Sequence, residues 1–191
     1  MQKTYQIANR GTVVFDDALI VRGLLKKLTW LYPDLLPENL NIMTVYDRDR
    51  TYLVTDPDRT LAQEQLSCKN LFVCYYVPGI LILPEGTQNH QLHFSNAYPS
   101  ISDPIMLTLF FGNRFHYPVV SANCSLGTLL NLLKQWKLLD PDVSTATVHD
   151  CFNFNSIPRS PMDITPGASV LNRRLCDLDL FQGPPIYLKL K

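Results

Sequence analysis

Two stretches of the chain carry apolar residues at the three- and four-residue spacing of a helix with one buried face. Ile20, Val21, Leu24, Leu25, Leu28 and Leu31 recur this way in the first, and Leu126, Leu129, Leu130, Leu133 and Trp136 in the second. Asp17 and Ser125 precede the helices as N-cap residues, and Pro33 and Pro141 follow as stops. Upstream of each helix, two runs of strand-forming residues flank a turn. These are residues 3–8 and 12–15 around Asn9-Arg10-Gly11, then 105–111 and 115–120 around Gly112-Asn113-Arg114. A leucine-anchored segment followed by a strand-like run closes each half, with Leu61, Leu66 and residues 72–74 in one, and Leu175, Leu180 and residues 186–188 in the other.

The two halves are a repeat. Residues 18–34 match residues 126–142 at an offset of 108, which sets Leu24 on Leu132, Lys26 on Lys134 and Pro33-Asp34 on Pro141-Asp142. The endings match at 114, Leu61 on Leu175, so the second copy carries six extra residues between helix and ending. The prolines of residues 157–161 and 165–167 mark the loop that absorbs them. Residues 78–104 hold four prolines and two glycines and read as a linker, although Ile80-Leu81-Ile82-Leu83 is too apolar to lie free and is expected to pack on a domain. The expected organisation is therefore α+β: a first domain at 1–77, a partly packed linker at 78–104 and a second domain at 105–191, each domain a mixed sheet crossed by one main helix. The order hairpin, helix, short strands and final strand resembles the ubiquitin-like β-grasp fold. That resemblance implies two tandem domains in which the last strand runs beside the first.

Composition narrows the function classes. The chain has 191 residues, of which 46% are hydrophobic, and 17 basic side chains balance 17 acidic ones. The balance also holds locally, nine against nine in residues 1–77, so binding of nucleic acid by counterion release is not expected. The longest apolar run, residues 71–77, is far short of the roughly 20 residues needed to span a bilayer, and the N-terminal residues lack the apolar core of a signal peptide. A cytoplasmic monomer with at most weak peripheral membrane contact is the expectation. The five cysteines, Cys68, Cys74, Cys124, Cys151 and Cys176, are odd in number and scattered, and read as free buried thiols; without a secretory route the glycosylation sequon at Asn123 has no consequence.

Catalytic chemistry has little to stand on. His149-Asp150-Cys151 are adjacent in sequence, so their side chains diverge and cannot form a hydrogen-bonded nucleophile, base and orienter. His90 and His93 lack a third metal ligand nearby, and Asp47-Arg48-Asp49-Arg50 reads as a solvated turn. No glycine-rich phosphate loop occurs, glycine being scarcer than proline. The expectation is no enzyme activity, no cofactor and no metal. Tyr187-Leu188-Lys189-Leu190-Lys191 also lacks the Gly-Gly that ubiquitin-like modifiers conjugate through.

Residues 15–28, from Phe15-Asp16-Asp17 through Lys26-Lys27-Leu28, are similar to the strand-to-helix segment in the N-terminal lobes of talin-like and kindlin-like FERM adaptors of the cytoskeleton. Such lobes imply binding of a Ras-family GTPase, by strand addition at the second strand and by basic side chains that meet an acidic surface. The strands concerned are residues 12–15 and 115–120. The implied contact residues are Lys3, Arg10, Arg22, Lys26 and Lys27 in the first copy and Arg114 and Lys134 in the second. Arg22 and Lys26, one helical turn apart, favour the first copy. Pro118 reads as a guard against edge pairing in the second copy. The alternative is a regulatory or ubiquitin-mimicking scaffold, which needs an exposed apolar sheet face.

Overall fold

The structure, a computed structural model, describes residues 1–46, 50–83, 93–94, 100–148, 162–178 and 186–190. Asp47, Arg48 and Asp49, His90, Cys151 and its neighbours His149 and Asp150, Leu180 and residues 157–161 lie outside them. The protein is α+β, with two α-helices among the described residues, and it divides into two compact units, Met1–Pro99 and Ser100–Lys191.

In the first unit, β1 (Gln2–Ile7) and β2 (Gly11–Asp16) form an antiparallel hairpin. Tyr5 and Ile7 are fully buried while Thr4 and Gln6 are exposed, the period of two that a half-buried strand requires. The helix α1 (Val21–Leu31) follows, then β3 (Leu40–Tyr46), β4 (Arg50–Leu53), β5 (Asn70–Val77), β6 (Ile80–Leu83) and β7 (His93–Phe94). Strand β5 lies parallel to β1 and antiparallel to β3, so the order across the sheet is β2-β1-β5-β3-β4, with β7 beyond β4. The end of β5 continues into β6 through Pro78 and Gly79, whose φ of +97° is the left-handed conformation a Pro-Gly turn places on glycine. All four residues of β6 are buried.

The second unit opens with β8 (Pro104–Met106) and β9 (Leu109–Phe111), which pair in turn with the long β10 (Arg114–Ser121). Helix α2 (Leu126–Gln135), β11 (Val143–Val148), β12 (Met162–Asp163) and β13 (Ile186–Leu190) complete it. Here β13 runs parallel to β9 and antiparallel to β11, giving β10-β9-β13-β11-β12. Gly112 and Asn113, with φ of +59° and +60°, close the hairpin as the two left-handed residues of a type I′ turn.

Several local expectations change. Asp17 does not cap α1: Ile20 occupies that position, and the first helical N–H groups donate instead to loop carbonyls, Val21 to Arg59 at 3.0 Å and Arg22 to Pro57 at 2.9 Å. Ser125 does cap α2, its hydroxyl accepting from the Thr128 N–H at 3.1 Å. Pro141 is not the stop of α2. The helix closes earlier, with Lys137 left-handed at φ +55° and the Leu138 N–H returning to the Leu133 carbonyl at 3.1 Å. Strand β9 is separated from β8 because Pro118 has no N–H to give Leu107, which still donates to the Pro118 carbonyl at 2.9 Å.

That last bond also corrects the reading of Pro118 as an edge guard. In an extended strand the N and the carbonyl of one residue point to the same side, so the missing donor faces the partner strand and not the opposite edge. The cysteines divide as well. Cys74 is buried, and desolvation pushes its thiol pKa well up; Cys124 and Cys176 are half-buried, while Cys68 is exposed.

The two units carry matching backbone bridges, in a register other than the one read from the sequence. Single bridges join Ile20 to Thr60 and Ser125 to Arg174, and the Leu61 and Leu175 N–H groups donate to the carbonyls of Leu19 and Cys124, each at 2.9 Å. Ile20 therefore corresponds to Ser125, an offset of 105, and Val21, Leu24 and Leu28 fall on Leu126, Leu129 and Leu133, all buried. The offset of 108 is three residues away, close to one helical turn, so an apolar stripe matches almost as well in either. The endings keep 114, Thr60 on Arg174, which raises the extra residues of the second copy from six to nine.

Candidate protein-interaction surface

The outward face of α1 is built unlike an ordinary solvated helix face. Val21, Leu24 and Leu28 point into the core, Lys26 and Trp30 lie on the opposite side, and Lys27 is exposed on the flank. Trp30 is 82% exposed and Leu31 53%, although Leu31 and the exposed Ile20 belong to the apolar stripe read from the sequence. The end of β2 approaches this face, and between them lies a groove of about 460 Å³ lined by Phe15, Leu19, Gly23, Lys26, Lys27 and Trp30 with Leu31. Gly23 shapes its floor: a Cβ there would come within 2.7 Å of Leu19 Cδ1, so Leu19 would have to move.

The Lys27 ammonium sits 5.3 Å from the centre of the Phe15 ring, a cation–π distance. Lys26 makes no ion pair among the described residues. Beside them runs the outer edge of β2, which among the described residues pairs only with β1. An unpaired edge presents backbone N–H and carbonyl groups to any chain that can align with them.

The other basic residues singled out by sequence are placed differently. Lys3 pairs with Asp17 at 3.1 Å, and Arg22 with Asp58 at 2.8 Å, an exposed pair that a partner can compete for. Arg10 is committed to the fold: it donates to both carboxylate oxygens of Asp34 at 2.9 and 2.6 Å and stacks over Tyr32 at 4.9 Å. The Tyr32 hydroxyl in turn donates to the Arg10 carbonyl at 3.2 Å, which ties the β1–β2 turn to the end of α1. This pairing lowers the Asp34 pKa and raises that of Arg10. In the second unit, Arg114 opens β10 on the exposed side of its turn, and the Lys134 ammonium donates to the Pro141 carbonyl at 3.1 Å. The structure thus gathers Lys26 and Lys27 at one groove, with Arg22 one turn away, and leaves Lys3, Arg10, Arg114 and Lys134 elsewhere.

Sequence reading missed the apolar half of this surface. Its signal was Trp30, a large aromatic outside the three- and four-residue stripe and on the same face as Lys26 and Lys27. At the corresponding positions the second unit has Asn131, Leu132 and Gln135 for Lys26, Lys27 and Trp30, and Thr128 for Gly23. The shared fold therefore does not demand these residues.

On the sheet face away from α1, the described exposed positions of β1 and β2 are mostly polar. Exposed positions on β1 and β2 are Gln2, Thr4, Gln6, Thr12, Val14 and Asp16, while Met43, Phe72 and Cys74 are buried. Among the described residues no group of three or more His, Cys, Asp or Glu side chains converges as a metal site, and no helix is long and apolar enough to cross a membrane. Comparison with known proteins gives no matching family model and no matching curated sequence.

Proposed function

We propose that the chain is a non-catalytic interaction module of two ubiquitin-like β-grasp domains, and that the first domain binds a protein partner at the β2 edge beside α1. Support for the fold comes from the strand orders β2-β1-β5-β3-β4 and β10-β9-β13-β11-β12, each with the first and last strands parallel and one helix after the hairpin. Ubiquitin-like domains share that arrangement. The observation that carries the functional reading is the open β2 edge with Lys26 and Lys27 on the adjoining helix face. Strand addition at such an edge gives affinity through backbone hydrogen bonds, and lysines next to it favour an acidic surface.

A Ras-family GTPase in its active state is the partner class this reading favours, following the resemblance of residues 15–28 to FERM-type lobes. The test is the affinity of the full chain for such a GTPase loaded with a non-hydrolysable GTP analogue or with GDP. The Lys26→Glu/Lys27→Glu double variant serves as the comparison. Binding that depends on the GTP state and falls by about tenfold or more in the variant supports the reading. Equal affinity for both nucleotide states, or for both proteins, contradicts it.

A further inference from the structure

The groove beside the open edge sets a requirement on whatever strand pairs there. Side chains of a strand alternate between the two faces of the sheet. A chain added to the outer edge of β2 would therefore turn every second side chain toward α1, into the space between Phe15, Leu19 and Trp30. From Gly23 to Leu31 the helix rises about 12 Å, the length of roughly three to four strand residues, so two alternate side chains fit along it. The walls are apolar, and the charged groups at the groove are the ammonium groups of Lys26 and Lys27.

We infer that the first domain takes an acidic strand carrying two bulky apolar side chains at alternate positions, which enter the groove between β2 and α1 while flanking carboxylates meet Lys26 and Lys27. The inference rests on the edge-pairing reading and adds to it the chemistry of the pairing segment. Two observations carry it: the Lys26 and Lys27 ammonium groups at an otherwise apolar groove, which an acidic strand complements, and the contrast with the second unit. There the same fold replaces Trp30 by Gln135 and both lysines by uncharged residues. An indole left 82% exposed contributes little to its own domain, and its apolar area becomes useful once a partner covers it.

The probe is a short synthetic peptide with two phenylalanines at alternate positions between glutamates, titrated into the isotope-labelled full chain. The readouts are the Trp30 indole N–H, assigned with Trp30→Phe, and the backbone amides of β2. The expected result is movement of both, with binding about tenfold weaker when serine replaces the phenylalanines or lysine replaces the glutamates. Gly23→Ala, which displaces Leu19, and Trp30→Ser should weaken the same peptide while leaving amide signals far from the groove in place. If the β2 amides move and Trp30 does not, the groove assignment is overturned and edge pairing stands. Trp30 movement without the β2 amides overturns strand addition and this inference together, as does silence at both. Equal binding of the lysine-substituted peptide removes the acidic requirement and overturns the inference as stated.

Discussion

Arg10 is one of the partner-binding cations that the resemblance to FERM-type lobes implies. The structure spends it on Asp34 and Tyr32, and this joins the start of the sheet to the end of α1. Asp34 is largely solvent-exposed, so Asp34→Asn should cost only about 0.5–1 kcal/mol, the scale of a screened ion pair. Its pH dependence has a definite sign. Arg10 lowers the folded-state pKa of Asp34, so the pair contributes fully above the unfolded-state value of about 3.9 and is lost as pH falls through the folded value. The Tm gap between wild type and Asp34→Asn should be constant near neutrality and close in acid; a gap that widens in acid contradicts the assignment. Trp30 is the opposite case, plain in the sequence but outside the apolar stripe. Periodicity ranks residues by their fit to a buried stripe and is silent about a large apolar residue placed on the polar face.

The helices and hairpins were legible because apolar period, turn residues and chain length all pointed the same way. Their ends were not. Loop carbonyls of Pro57 and Arg59 receive the first N–H groups of α1, and no side-chain pattern announces a cap supplied by distant backbone. Register failed for a related reason, since a shift of three residues turns a helix by about 300° and leaves a leucine stripe nearly superimposed on itself. The corrected register has a consequence for stability. Leu129, the counterpart of Leu24, is fully buried, whereas Leu132, its partner in the sequence alignment, is half-buried. Leu129→Ala should therefore cost about 3 kcal/mol in urea unfolding, and Leu132→Ala clearly less. Equal costs, or the reverse order, would contradict the 105-residue correspondence.

At the scale of the whole chain, the sequence similarity of the two halves goes with a similar strand order around one helix in each unit. What sequence could not supply was the groove that gathers the differing residues of the first copy. Both copies carry an apolar helix stripe, yet among the described residues the lysine pair, the exposed indole and the glycine that line the groove beside β2 have no counterparts at the equivalent positions of α2. That asymmetry is what the proposal of binding at the first domain rests on. The most direct test is backbone NMR of the labelled full chain titrated with an active-state Ras-family GTPase, with its GDP form as the reference. Shifts that require the active state and concentrate on β2 and α1, Trp30 included, are the expected result. Shifts confined to the second unit, or the same response to both nucleotide states, would contradict the account.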